Sequence, residues 1–256
     1  VDAVPVEMAD LANELNRMFD RLQTDFQRLS DFSADLAHEL RTPISNLLTQ
    51  TQVALSAKRD AATYRDILAS NAEEFQRLAR MVSDMLFLAK TERGVELPQT
   101  ELFSAASEAQ ALVEFYEALA AEKGVKISSV GDGEILGDRL MFRRAVSNLL
   151  SNAIRHTHDH GEVTIEIIET PQATTLKVEN TGDEIDPKVL PRLFDRFFRG
   201  HPARTHQDSD GAGLGLAITR AILEAHSGSA TATSSQRWTS FSLTIPRKSG
   251  SDKNSD

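Results

Sequence analysis

Phe32-Ser-Ala-Asp-Leu-Ala-His38-Glu39-Leu40-Arg41-Thr42-Pro43 interrupts what is otherwise the pattern of one long helix. Residues 1–93 contain no glycine, and Pro5 and Pro43 are their only prolines. In a helix interior a proline removes a hydrogen bond and crowds the preceding turn, at a cost of about 3 kcal/mol. A proline retained at that cost one turn from a histidine suggests a function. His38 and Thr42 are four residues apart and share a helix face, and Glu39 is adjacent to the imidazole. An outward-facing imidazole can act as a nucleophile, with the carboxylate fixing its tautomer and raising its basicity. The alternative is a solvated His-Glu pair on a polar face, a reading that the neighbouring proline weakens.

On both sides of this box, Leu11, Leu15, Met18, Leu22, Phe26, Leu29, Leu36 and Leu40 recur in steps of three, four and seven, giving one apolar stripe. A helix over about residues 7–56 would be roughly 75 Å long, too long for the interior of a compact monomer. Ser56 to Thr63 breaks the stripe, and Tyr64, Ile67, Leu68, Asn71, Phe75, Leu78, Val82, Met85 and Ala89 predict a second helix with near-heptad spacing. A lone hairpin leaves both stripes uncovered. The expected remedy is a homodimeric four-helix bundle formed through residues 7–92.

Gly94 ends the second helix, and residues 95–100 read as a linker. Beyond it the pattern is mixed. Residues 101–123 look helical, 125–130 alternate as a strand, 131–137 form a turn and short strand, and 138–155 are strongly helical. Residues 163–169 and 174–180 predict a hairpin, and a short helix follows near 187–194. The polar, aperiodic stretch 200–212 reads as a mobile loop, 214–226 as a helix, 229–234 and 239–245 as closing strands, and 248–256 as a disordered tail. The expected fold is α followed by α/β: the helical hairpin, then an α/β sandwich with helices on one face of a mostly antiparallel sheet.

Composition narrows the chemistry. The 256 residues, 40% hydrophobic, suffice for two domains, and the absence of cysteine removes disulfides, thiolate metal sites and a cysteine nucleophile. With 28 Lys+Arg against 38 Asp+Glu, the net charge of −10 argues against a nucleic-acid partner. No apolar run approaches the length of a membrane span, and no signal-peptide layout is present. The start at Val1 rather than Met is expected of a piece of a longer chain.

Further clusters lie in the second half. In Arg144-Ala-Val-Ser-Asn148-Leu-Leu-Ser-Asn152-Ala-Ile-Arg155-His156, the polar residues Asn148, Asn152 and Arg155 form a stripe opposite an apolar face. Amide oxygens are hard ligands for Mg²⁺ and a guanidinium suits phosphate, so the stripe fits a metal-bound polyphosphate as well as it fits plain solvent exposure. Gly211-Ala-Gly213-Leu214-Gly215 opens a helix, where backbone N–H groups favour an anion. It lacks the Lys-Ser/Thr of a P-loop and the strand and third glycine of a dinucleotide fold. His156, His158 and His160 alternate in a turn and are a weak metal-site candidate. Arg199, at the mouth of the polar loop, is a candidate phosphate contact.

Together, and in this order, the clusters resemble the cytoplasmic part of a bacterial two-component sensor histidine kinase. Residues 32–43 resemble its phosphoacceptor box, 148–152 its N box, Val178-Glu-Asn-Thr-Gly182-Asp-Glu-Ile185 its first glycine box, Leu193 to Arg199 its F box, and Gly211 to Gly215 its second glycine box. The resemblance covers residues 30–247, and Pro5-Val-Glu7 with the stripe to Leu29 is similar to the last helix of a HAMP signal relay. It implies a HAMP end at 1–30, a dimerisation and phosphotransfer domain at 31–94, a linker at 95–100, and an ATP-binding domain of the gyrase, chaperone and histidine-kinase type at 101–247. ATP and Mg²⁺ are the implied ligands.

In the resemblance, His38 is the phosphoacceptor, Glu39 the general base, Thr42 the residue orienting water for partner dephosphorylation, and Arg199 a phosphate stabiliser. Asn148 and Asn152 hold Mg²⁺. With Arg155, His156, Asn180, Gly182, Ile185, Gly211, Gly213, Leu214 and Gly215 they form the ATP site, and residues 200–212 are its lid. The implied partner is the receiver domain of a response regulator. The implied location is the cytoplasmic side of a bacterial inner-membrane protein whose membrane segment lies upstream. Asn180 stands where the family carries Asp and Glu184 where it carries glycine, which predicts weaker adenine binding. Asn at that position is similar to the branch sensing copper, silver or other heavy metals. Two alternatives are an ATP-driven clamp sharing the nucleotide fold, which has no need of the His38 box, and a degenerate kinase kept as a phosphatase or scaffold.

Overall fold

The computed structural model describes residues 6–92, 94, 98–199 and 213–247. The chain divides into two compact units, Val1–Ala79 and Arg80–Asp256, with the division falling inside the second helix. The expected loop 200–212 and tail 248–256, together with Gly211, lie outside the described residues.

In the first unit α1 (Val6–Leu55) continues through Pro43, which is buried. Pro43 has no N–H to give the Glu39 carbonyl, so one rung of the helix ladder is missing immediately after His38. The break at residues 56–60 is held locally. Arg59 Nη2 donates to the Val53 carbonyl (3.1 Å), and Asp60 Oδ1 accepts from the Thr63 N–H (2.7 Å), capping α2 (Ala61–Glu92). Those bonds to Thr63, from its side chain first and then its backbone, hold the Asp60 carboxyl below its ordinary pKa. Asn71 Nδ2 donates to Thr51 Oγ1 (3.4 Å) between the antiparallel helices. Of the two predicted stripes, Leu15, Met18, Leu22, Phe26, Leu68 and Phe75 remain exposed, and so do Ile44 and Leu48, which the predicted stripes did not include.

The second unit takes in the last turns of α2 and then builds β1 (Glu101–Ser104), α3 (Ala105–Glu122), β2 (Lys126–Gly131), β3 (Glu134–Gly137), α4 (Arg139–His156), β4 (Glu162–Glu169), β5 (Ala173–Thr181), a 3₁₀ turn at Leu190–Arg192, α5 (Gly215–Ala225), β6 (Ser229–Ser235) and β7 (Trp238–Pro246). The larger sheet has order β2-β4-β5-β7-β6, parallel between β2 and β4 and antiparallel elsewhere, while β1 and β3 form a separate antiparallel pair.

Two expectations need correction. Residues 101–104 are not the start of a helix: they alternate Leu102 outward and Phe103 inward, pair with β3, and pack Phe103 against Phe142 in a tilted pair with ring centroids 5.3 Å apart. The helix begins only at Ala105, where Ser104 Oγ accepts from the Ser107 N–H (3.1 Å). Likewise, the helix expected at 187–194 shrinks to the 3₁₀ turn.

The core forms where the apolar face of α4 meets the sheet. Ala145, Val146, Leu149, Leu150 and Ala153 are fully buried, as are Val163 and Ile165 of β4 and Val178 of β5. Each large apolar side chain removed from water contributes about 1.5–3 kcal/mol, so α4 is fixed with its polar stripe turned away from the sheet. Asp138 caps its start by accepting from the Met141 N–H (2.9 Å). At its end the Lys123 ammonium donates to the carbonyls of Ile154, Arg155 and Thr157 at 3.2, 3.0 and 3.2 Å, as the helix dipole favours. Among the described residues no helix is long and apolar enough to cross a membrane.

Candidate active site

In the second unit the fold brings the N box, both glycine boxes and the F box together. Asn148 is half-buried, and its Nδ2 donates to the Gly215 carbonyl at 3.0 Å, which commits the amide nitrogen and leaves Oδ1 for a cation. Thr219 Oγ1 donates to the same carbonyl (3.0 Å). A methyl group at Gly215 would touch the Asn148 side chain at 3.6 Å, so the helix start and the N-box amide are in van der Waals register. Asn152, one turn on, is half-buried, and its side-chain amide makes no hydrogen bond among the described residues. Arg155 and His156 are exposed at the end of α4.

Asn180 ends a buried run on β5 and is itself 2% exposed. Its Nδ2 donates to the Thr181 carbonyl (3.2 Å), an orientation that leaves Oδ1 as the acceptor. Gly182 is buried, and a Cβ there would come within 2.8 Å of the His156 carbonyl, so the first glycine box and the end of α4 meet backbone to backbone. Ile185 is held by its N–H donating to Ser234 Oγ (3.0 Å). Gly213 has φ +70°, and its carbonyl accepts from the Phe197 N–H at 3.0 Å. A Cβ at Gly213 would lie 2.8 Å from the Phe197 carbonyl carbon, so this meeting of the F box and second glycine box requires glycine. Leu214 is buried beneath it, and Arg199 is exposed.

His158 Nε2 lies 3.2 Å from Asp183 Oδ1. Among the described residues no three of His, Asp and Glu converge as a metal site would require, so the alternating histidines form no such cluster. The amide oxygens of the half-buried Asn148 and Asn152 suit a hard cation such as Mg²⁺ better than imidazole would.

In the first unit His38 is exposed and Glu39 half-buried, with no hydrogen bond between them among the described residues; Thr42 is exposed on the face of His38. The reading of the sequence missed two ion pairs in the second unit, Arg144 with Asp84 and Arg196 with Glu92. Arg144 lies one turn before Asn148, so helical spacing pointed to it; its acidic partner on α2 had no sequence signal.

A phospho-acceptor hairpin and an ATPase-type sheet thus share one chain. Residues 28–94 match the His Kinase A (phospho-acceptor) domain, and residues 137–249 match the histidine kinase-, DNA gyrase B- and HSP90-like ATPase. The chain belongs to the sensor histidine kinase family. It is 45% identical over 244 residues to the sensor histidine kinase CusS of Escherichia coli (strain K12), covering 95% of this chain and 51% of that protein. The fold is similar to that of histidine kinase ThkA solved in complex with response regulator protein TrrA, with TM-score 0.71 and 22% identity over 96% of this chain and 68% of the other. Full-length ShkA in complex with AMPPNP gives TM-score 0.63 at 25% identity, covering 83% of this chain and 45% of that one. The chain spans about half the length of the curated relatives it matches.

Proposed function

We propose that this chain is the phosphotransfer and catalytic part of an ATP-dependent protein-histidine kinase, with residues 31–94 carrying the acceptor, 95–100 linking and 101–247 binding ATP. The observation that carries this reading is the presence in one chain of the phospho-acceptor match and the ATPase match. An ATP-driven clamp has no use for the first.

In the proposed step an imidazole nitrogen of His38 attacks the γ-phosphorus. A P–N bond forms, the bond to the β,γ-bridging oxygen breaks, ADP departs with that electron pair, and Glu39 takes the ring proton. Asn148 and Asn152 would hold Mg²⁺ through their carbonyl oxygens, the metal supplying charge neutralisation when bound. Arg155 and Arg199 would add cations to the phosphates, and His156 and Ile185 would line the base. Asn180 Oδ1 would accept from the adenine amino group, since its amide nitrogen is already used on Thr181. The main chain at Gly182, Gly211, Gly213, Leu214 and Gly215 would approach the nucleotide closely.

Dimerisation through 7–92 covers the exposed stripes of the hairpin. The phosphoryl group then passes to an aspartate of a response regulator, and Thr42 orients water when the partner is dephosphorylated. Membrane attachment, a HAMP-like relay ending near residue 30 and a heavy-metal signal belong to the whole protein in this reading.

Incubation with γ-labelled ATP and Mg²⁺ tests the proposal. Acid-labile, base-stable label on the wild type that is absent from His38→Gln is the expected result. Label persisting undiminished on His38→Gln, or none on the wild type, would exclude it.

A further inference from the structure

The polar ridge of α4 does not end at Asn148. Arg144 precedes it by four residues, so Arg144, Asn148, Asn152 and Arg155 share one side of the helix, two amides bracketed by two guanidinium groups. Of the two cations only Arg144 is engaged by the last turns of α2. Its Nη2 donates to Asp84 Oδ1 at 2.5 Å, and its guanidinium lies over the Phe87 ring, 4.0 Å from the centroid. Asp84 and Phe87 are three residues apart and so present one face. The same three turns engage a second arginine, since Glu92 pairs with Arg196, the residue next to the Phe197 that bonds Gly213.

Core packing does not require this arrangement. The Arg144–Asp84 side chains are 31% and 35% exposed, a setting in which an ion pair adds little to stability. What Asp84 does supply is chemical mimicry, because a carboxylate presents to the guanidinium fork the same two-oxygen edge that a phosphoryl group presents. Phe87 meanwhile holds the guanidinium plane from its face. One helical turn, about 5.4 Å, separates Arg144 from Asn148, the residue proposed above to hold the Mg²⁺ that accompanies the phosphates.

We propose that Arg144 is a further ligand of the terminal phosphate of the bound nucleotide, and that Asp84 occupies its place in the structure described here. Carboxylate and phosphoryl oxygens compete for one guanidinium. The proposal rests on the ATP reading above and adds to it a residue and a competitor outside the motifs. A phosphate that only ATP carries should therefore feel Arg144, and ADP should not.

The test compares ATP and ADP affinities of the purified chain by displacement of a fluorescent nucleotide in excess Mg²⁺, with thermal melting measured alongside. Arg144→Gln should weaken ATP binding about tenfold, the loss of a charge-assisted contact, and change ADP binding less than about twofold. Asp84→Asn should tighten ATP several-fold with ADP unchanged, and Arg144→Lys should recover part of the loss. In phosphorylation of His38, Arg144→Gln should lower kcat and Asp84→Asn should raise the rate at limiting ATP.

Equal weakening of ATP and ADP by Arg144→Gln would reduce the residue to a structural role and overturn the proposal, as would ATP affinities unchanged in both variants. A wild type that binds both nucleotides but leaves His38 unlabelled would defeat the kinase reading while the ATP/ADP comparison still decides on Arg144. A wild type that binds neither nucleotide overturns both.

Discussion

The carbonyl of Gly215 accepts two hydrogen bonds, from Asn148 Nδ2 and from Thr219 Oγ1, both at 3.0 Å. That sharing makes the amide at 148 irreplaceable by its acid. In Asn148→Asp an oxygen would face the Gly215 carbonyl oxygen with no proton between them, so stability should fall by about 2 kcal/mol and nucleotide affinity should fall with it. Chemical denaturation of Asn148→Asp against Asn148→Ala checks this: the acid should be the less stable of the two, although it keeps an oxygen at the proposed Mg²⁺ position. Glu108 gives a second test. Its buried carboxylate on α3 meets Arg139 Nε at 2.6 Å and Arg143 Nε at 3.4 Å on α4. Because both arginines are nearly half exposed, Glu108→Ala strands no buried cation, and the expected loss is about 2 kcal/mol rather than the larger cost of a fully buried pair. The stripe of Asn148, Asn152 and Arg155 was legible in the sequence because helical spacing alone aligns it. The role of Gly215 as partner was not, since 67 positions separate it from Asn148 and only the packing of α4 on α5 brings them together.

At the scale of elements, α4 and the sheet strands could be read directly from their periods, because a face buried on one side repeats every 3.6 or every 2 residues. Glu101 to Ser104 could not. Four residues are too few to separate the two periods, and the partner strand β3 lies beyond a whole helix. The F box posed the same difficulty: its turn is fixed by the Phe197 N–H bonding Gly213, a contact across the stretch 200–212. Gly213→Ala should accordingly lose stability, through strain at φ +70° and the 2.8 Å approach to Phe197, in a melting experiment where Leu216→Ala serves as a neighbouring control. The start of α2 carries a pH dependence of defined sign. The Asp60 carboxyl is held below its ordinary pKa by Thr63, so its capping contribution is complete above the ordinary value of about 4 and fades as pH falls through the lowered one. Asp60→Asn, which caps without charge, should flatten this acid limb of the helical circular dichroism signal.

For the whole molecule, the exposed Ile44, Leu48, Leu68 and Phe75 set the oligomeric expectation. Leu68→Lys with Phe75→Lys should convert a dimer to a monomer in sedimentation while leaving nucleotide binding by the second unit intact. A two-domain chain with a helical hairpin and a mixed sheet followed from composition and periodicity. The contact of Arg144 with α2, from which its proposed exchange with a phosphate is argued, did not, because Asp84 and Phe87 lie some 60 residues before it and nothing in the sequence pairs them. A helix resists bending through its ladder of hydrogen bonds, and the rung missing between Glu39 and Pro43 makes that turn more compliant than an unbroken one. Bending of α1 is therefore easiest within a turn or so of His38. A torque or tilt applied to α1 ahead of this turn would thus be taken up beside His38, and in the kinase reading proposed above the angle of its imidazole to a phosphoryl donor is what such a bend would set.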